Sequence, residues 1–183
     1  MKTIISELAG TKQLCCVYAN SVQTDRFAAG FVLQADETHV LLQAVDPYGY
    51  ADGLLCVAGQ AILRIETDSL YARCLQTLFS YNRQTCTDYP PSGEVLQGLL
   101  RYASAGEKIC SVELCAGGET DFTGRIDTIR KNCVVFDAFD AYGRPDGRQA
   151  IDPGDISRIS CDSADDRKTE KLLRLRGAGN LPT

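Results

Sequence analysis

Four aspartates are the first residues in this chain that could do chemistry. Asp46 and Asp52 fall in Asp46-Pro47-Tyr48-Gly49-Tyr50-Ala51-Asp52-Gly53, and Asp140 and Asp146 in Asp140-Ala141-Tyr142-Gly143-Arg144-Pro145-Asp146-Gly147. Both octapeptides read D-x-Y-G-x-x-D-G. Carboxylate oxygens suit hard cations, yet two per octapeptide fall short of a coordination shell and lack the spacing of an EF-hand loop. Turn chemistry explains them better. Aspartate side chains accept from nearby backbone amides, and Gly49, Gly53, Gly143 and Gly147 supply positive φ. No metal or other cofactor is expected.

The remaining reactive types are sparse. His39 is the single histidine. A Cys–His nucleophile pair would place it beside a solvent-reachable thiol, but it stands in an apolar run and reads as a packing residue. Cys110 and Cys115, five apart on a strand pattern, point to opposite faces and make a poor metal pair. With no acid–base pair, nucleophile pair or phosphate loop, no catalytic residue is assigned and no enzyme is expected. The candidates for phosphate contact are Arg125, Arg130, Lys131, Arg144 and Arg148, which cluster around predicted turns. Tyr48 and Tyr142 sit where they could stack on a base, packing against a neighbouring strand being the plainer alternative. The net charge of −5 argues against a strong nonspecific grip on nucleic acid, and no DNA partner is expected. Residues 1–92 carry 6 basic and 9 acidic side chains, and residues 93–183 carry 13 and 15. Any phosphate-facing surface belongs to the second half.

The octapeptides are the centre of a longer duplication at an offset of 94 residues, running without a gap from Gly30/Gly124 to Leu78/Leu172. About 15 of 49 pairs are identical, where roughly 3 would match by chance. His39 aligns with Cys133, which supports the packing role. Arg64 aligns with Arg158, and each is expected to pair with an aspartate of its own unit. A repeat of this length sets the architecture before any element is assigned.

Each unit reads as helix, five short strands, helix. In the first, residues 2–9 have helical apolar spacing, with strands near 14–19, 27–33, 39–45, 54–57 and 62–66. A helix capped at Asp68-Ser69 follows, to about Phe79. Residues 81–92, rich in proline near Tyr89-Pro90-Pro91, form a linker. The second unit repeats the order, from a helix at 94–105 through strands near 108–115, 122–129, 133–139, 148–151 and 156–161 to a helix ending at Arg176. The units are thus 1–80 and 93–176, with a tail at 177–183. Five strands joined by tight turns in so short a span predict a strongly bent small barrel, since closure removes exposed edges. The fold expected is mainly β with flanking helices, as two tandem five-stranded barrels.

Nine cysteines, odd in number, without a C-x-x-C and mostly in apolar strands, suit a reducing compartment and free thiols. No apolar run approaches the roughly 18 residues of a membrane span, and residues 1–10 lack the apolar core of a signal peptide. A cytoplasmic protein without a membrane partner is expected.

Val112-Glu113-Leu114-Cys115-Ala116-Gly117, then Phe122-Thr123-Gly124-Arg125-Ile126 and Asn132-Cys133-Val134-Val135, resemble the first motif of the Sm-like family, which includes Hfq-type RNA chaperones. Gly30-Phe31-Val32, Asp36 and Val40-Leu41-Leu42 carry its later half in the first unit. Ile151-Asp152-Pro153-Gly154-Asp155-Ile156 is similar in position to the second motif. The duplicated octapeptide followed by Asp-Ser also resembles bacterial proteins without an assigned activity. The resemblance implies a tandem Sm-like binding module whose units pair within the chain or multimerise through outer strands. Two ligands stay open. RNA is favoured by the family and by the five basic residues above. A protein partner or self-association, with the chain as assembly scaffold, is favoured by the acidic balance and by Asp152-Pro153, where the family presents an arginine-glycine pair to RNA.

Overall fold

In the computed structural model, which describes residues 2–114 and 119–179, each copy of the repeat yields a helix, five strands and a second helix. The first copy holds α1 (Lys2–Thr11), β1 (Leu14–Tyr18), β2 (Ala28–Ala35), β3 (His39–Val45), β4 (Ala51–Ala58), β5 (Arg64–Thr67) and α2 (Leu70–Tyr81). The second holds α3 (Val95–Ala105), β6 (Ile109–Glu113), β7 (Phe122–Arg130), β8 (Cys133–Phe139), β9 (Pro145–Ile151), β10 (Arg158–Cys161) and α4 (Ala164–Gly177). Cys115, Ala116 and Gly117, part of the motif quoted above, lie outside the described residues, as does the end of the tail.

All ten strands form one sheet in the order β5-β1-β2-β3-β4-β10-β6-β7-β8-β9, and every neighbouring pair is antiparallel. Taken by halves the order is the same, with β10 in the place of β5. The duplication extends to register. Gly30 faces Ala44 as Gly124 faces Ala138, and the bulge between Val32 and Gln34 recurs between Ile126 and Thr128. A second shift, between Gln43 and Val45, recurs between Asp137 and Phe139.

The two closed barrels expected from the sequence are not formed. Closing a unit on itself would use the outer edge of β4. That edge pairs instead with β10, placing Val57 opposite Arg158 and Leu54 opposite Cys161. Each unit satisfies an edge by joining its neighbour, which hides unpaired backbone groups as closure would.

Helices cover both faces. Adjacent Cys15 and Cys16 are each fully buried because alternate side chains of a strand point to opposite faces. Cys15 packs with Ile5, Leu8 and Leu42 under α1, and Cys16 with Phe31, Leu75 and Phe79 under α2. Burial raises the Cys16 thiol to about 11 and, with the neighbouring Cys16, the Cys15 thiol to about 12. All eight described cysteines are free, and Cys74 and Cys86 are the exposed ones; Cys115 lies outside the described residues.

Between the units the cover is shared. Val95, Leu96, Leu99, Leu100 and Ala103 make one apolar stripe on α3 at i, i+3, i+4 spacing. That stripe packs in one cluster with Val112, Ile126 and Phe136 of the second unit and with Leu41, Leu54 and Cys56 of the first. The connection from α2 to α3 is pinned along the first unit. Thr87 N donates to Gln43 Oε1 (2.8 Å), Ser92 N to Gln34 Oε1 (3.1 Å) and Val95 N to Asp36 Oδ2 (2.7 Å). Burial works against ionising Asp36, yet the Val95, Thr38 and His39 amides and the Thr38 hydroxyl hold its carboxyl below the usual range. Among the described residues no helix is long and apolar enough to cross a membrane.

Candidate protein-interaction interface

The repeated octapeptide is a turn with two working ends. Its first aspartate closes the turn locally. Asp46 Oδ1 accepts from the amides of Tyr48 (2.9 Å) and Tyr50 (2.8 Å), and Asp140 Oδ1 from those of Tyr142 (2.9 Å) and Arg144 (2.8 Å). The Tyr-Gly end then rests on the last helix of its own unit. Gly49 has φ +81°, and a Cβ there would lie 2.6 Å from Leu78 Cβ; at Gly143 (φ +69°) it would lie 3.0 Å from Leu172 Cβ. Asn82 Nδ2 ties Tyr48 O to α2 (2.9 Å), and an Arg176 guanidinium nitrogen ties Tyr142 O to α4 (3.2 Å). The Tyr48 and Tyr142 rings are 74% and 66% exposed, so neither packs into a neighbouring strand.

The Asp-Gly end of the first copy reaches across to the second unit. Asp52 Oδ1 accepts from the amide of Ala164 (2.6 Å), the first residue of α4, and lies 3.7 Å from the Arg167 guanidinium. A carboxylate here satisfies a helix N–H that has no partner within the helix and meets the positive end of the helix dipole. Gly53 (φ +76°) sits flat on the same helix entry. A Cβ there would stand 2.4 Å from Cys161 O and from the Asp162 carbonyl carbon. From below, buried Gln43 donates through Nε2 to Gly53 O (2.8 Å).

The receiving surface is braced by hydrogen bonds. Ser163 caps α4 and forms a reciprocal box with Asp166, which is 1% exposed. Asp166 also accepts from Ser111 Oγ (2.7 Å) and Ser160 Oγ (3.3 Å). Burial pushes its carboxyl up, while the serine hydroxyls and the Ser163 amide pull it back. Lys108 Nζ donates to Asp162 Oδ2 (2.6 Å).

The same Asp-Gly end in the second copy is free. β9 is the last strand of the sheet and is exposed from Pro145 to Ala150. Gly147 has φ +79° and no heavy atom within 4 Å of where its Cβ would lie. The Asp146 side chain has no hydrogen bond or ion pair among the described residues.

Two of the five basic candidates are already paired with aspartates. Arg144 Nε donates to Asp140 Oδ2 (2.6 Å), and this bond, after the Arg144 amide, holds the Asp140 carboxyl below its usual range. Arg148 bridges Asp127 and Asp137, its Nε 3.0 Å from Asp137 Oδ1. Arg125 is half-buried in β7, with Nε unpartnered. Arg130 and Lys131 stand exposed at the β7–β8 turn. The repeated arginines also depart from the aspartate pairing expected of them. Arg64 stacks 3.7 Å over the Tyr18 ring. Arg158 is mostly buried, which lowers its pKa, and the nearby Glu113 carboxylate opposes that. His39 Nδ1 is 2.9 Å from Thr38 Oγ1.

Sequence reading missed the role of Asp52 across the units, although the signal was there. Asp52, Gly53, Asp162, Ser163 and Arg167 all recur at the 94-residue offset, as Asp146, Gly147, Asp68, Ser69 and Arg73. No protein-family model, curated protein or solved structure matches the chain.

Proposed function

We propose that the chain is a non-enzymatic, Sm-like-type protein-interaction module, an assembly scaffold in which small β units add edge to edge, and that it does not depend on nucleic acid. The joint between β4 and β10 supports this most directly. It is an edge-to-edge contact between the two units of one chain, and residues of the repeated motif make it. The RNA alternative needed the basic residues free for phosphate, but Arg144 and Arg148 already neutralise Asp140, Asp127 and Asp137. Solvated ion pairs of this kind are individually weak, yet together they cancel the local positive field that would draw in a polyanion.

Filter binding with short single-stranded RNAs, from low to physiological salt, tests the choice. No saturable binding is expected at low salt, and Arg144→Ala with Arg148→Ala should leave retention at background. Saturable retention would overturn the scaffold function if its log–log salt slope is roughly −0.7 per phosphate contact and shrinks in that double variant.

A further inference from the structure

We propose that the joint between the units holds a binding site for a small neutral α-amino acid, its carboxylate on Arg158 and its ammonium among Ser111, Ser160 and Asp165. This goes beyond the scaffold function and does not depend on it. A cavity of about 250 Å³ opens where β4, β10 and β6 run side by side. Asp52 and Leu55 of β4 border it on one side, and Ser163 and Asp165, at the entry to α4, on the other. Its floor is polar, formed by Arg158 and Ser160 of β10 with Ser111 and Glu113 of β6.

The duplication shows what the cavity replaces. Tyr18 faces Arg64 across β1 and β5, and Glu113 faces Arg158 at the matching place across β6 and β10. In the first unit the Arg64 guanidinium lies 3.7 Å over the Tyr18 ring. In the second, Glu113 offers no ring. Arg158 is mostly buried with the Glu113 carboxylate nearby, yet none of its N–H groups has a hydrogen-bond acceptor among the described residues. A guanidinium carries five donors in a planar fork. Burying it without acceptors costs free energy, which a ligand carboxylate bound through two parallel hydrogen bonds offsets.

Two residues along the strands, the floor changes character. Ser111 and Ser160 face each other across β6 and β10. Ser111 Oγ donates to Asp166 Oδ1 (2.7 Å) and Ser160 Oγ to Asp166 Oδ2 (3.3 Å). Each hydroxyl hydrogen is thereby committed, and the oxygens are left as acceptors. Asp165 is exposed, and its carboxylate has no hydrogen bond or ion pair among the described residues. Acceptors and a carboxylate suit an ammonium group. An anion alone would be opposed by Glu113, Asp52 and Asp165, and an amine alone by Arg158, so the complementary ligand is a zwitterion. Two residues of strand span about 7 Å, which the two charged ends of one α-amino acid bridge with a hydrogen bond at each. The volume admits only a short side chain, against Ala44 and Leu55, and the carboxylates at the rim disfavour an acidic one.

Amide NMR on the labelled full chain tests this by titration with L-alanine, and with propionate and ethylamine as its two halves. L-alanine should give saturable shifts centred on residues 111, 113, 158 and 160, and each half should bind at least about tenfold more weakly. Arg158→Met keeps an unbranched side chain of similar reach and removes a buried charge. It should weaken L-alanine binding by at least about tenfold, with circular dichroism unchanged. Asp165→Asn, on an exposed side chain, should weaken it several-fold and tests the ammonium end separately. The absence of saturable shifts up to about 50 mM L-alanine would overturn the proposal. So would propionate or ethylamine binding as tightly as L-alanine, wild-type affinity in folded Arg158→Met protein, or unchanged affinity in Asp165→Asn.

Discussion

Gly53→Ala is expected to cost about 3–4 kcal/mol of stability, against about 1–2 kcal/mol for Gly147→Ala. The two glycines share a repeat position and nearly the same backbone, φ +76° and +79°. The penalty for placing an L side chain in that conformation is therefore common to both. Only the surroundings differ. The added methyl at residue 53 would meet Cys161 O and the Asp162 carbonyl carbon at 2.4 Å, backbone atoms that cannot swing aside, whereas at 147 it meets nothing within 4 Å. Urea unfolding should show the larger midpoint shift for Gly53→Ala at unchanged slope. Equal shifts would mean that the helix entry does not close on Gly53.

Leu54→Ala should be comparably damaging, at about 2–5 kcal/mol, while Arg148→Ala at the equivalent repeat position should stay within about 1 kcal/mol. Leu54 is fully buried in the cluster that α3 shares with both units, so its loss leaves a void that α3 cannot fill without leaving its other partners. Arg148 gives up only exposed ion pairs with Asp127 and Asp137. Because that cluster spans the joint, the destabilised protein should still unfold in one transition, with secondary-structure and tyrosine signals coincident. Two separated transitions would show units that fold independently.

Much of this architecture was legible in the chain. Alternating and apolar runs located all ten strands, because side-chain period and turn residues are local properties. Ser69 announced its helix for the same reason. The course of the sheet was not local. Whether β4 meets its own β5 or the β10 of the other unit depends on which edges are free after folding, and strand spacing says nothing about that. One cue did exist. Leu54-Leu55-Cys56-Val57 is apolar throughout, as a strand enclosed on every side should be. Its twin reads Arg148-Gln149-Ala150-Ile151, and Pro145 stands where the first copy has Ala51; a charge and a proline are residue types that keep an edge strand soluble. The difference between two copies of one strand separated the interior from the rim.

The pairing of the basic residues was hidden for a related reason. Arg144 and Arg148 look like a cluster along the sequence, but Asp127 and Asp137 reach Arg148 only once β7, β8 and β9 lie side by side. Asp52 was read as turn chemistry because its partners, Ala164 and Arg167, lie more than a hundred residues away. Only Asp46 and Asp140 make their bonds within the turn.

Amide hydrogen exchange, followed strand by strand at low protein concentration, tests the continuous sheet most directly. Amides bonded between residues 54–57 and 158–161 should exchange only through global unfolding, as slowly as those between β1 and β2, while the outward amides of residues 148–151 exchange orders of magnitude faster. Rapid exchange across the β4–β10 joint, with the interior of each unit still protected, would contradict it.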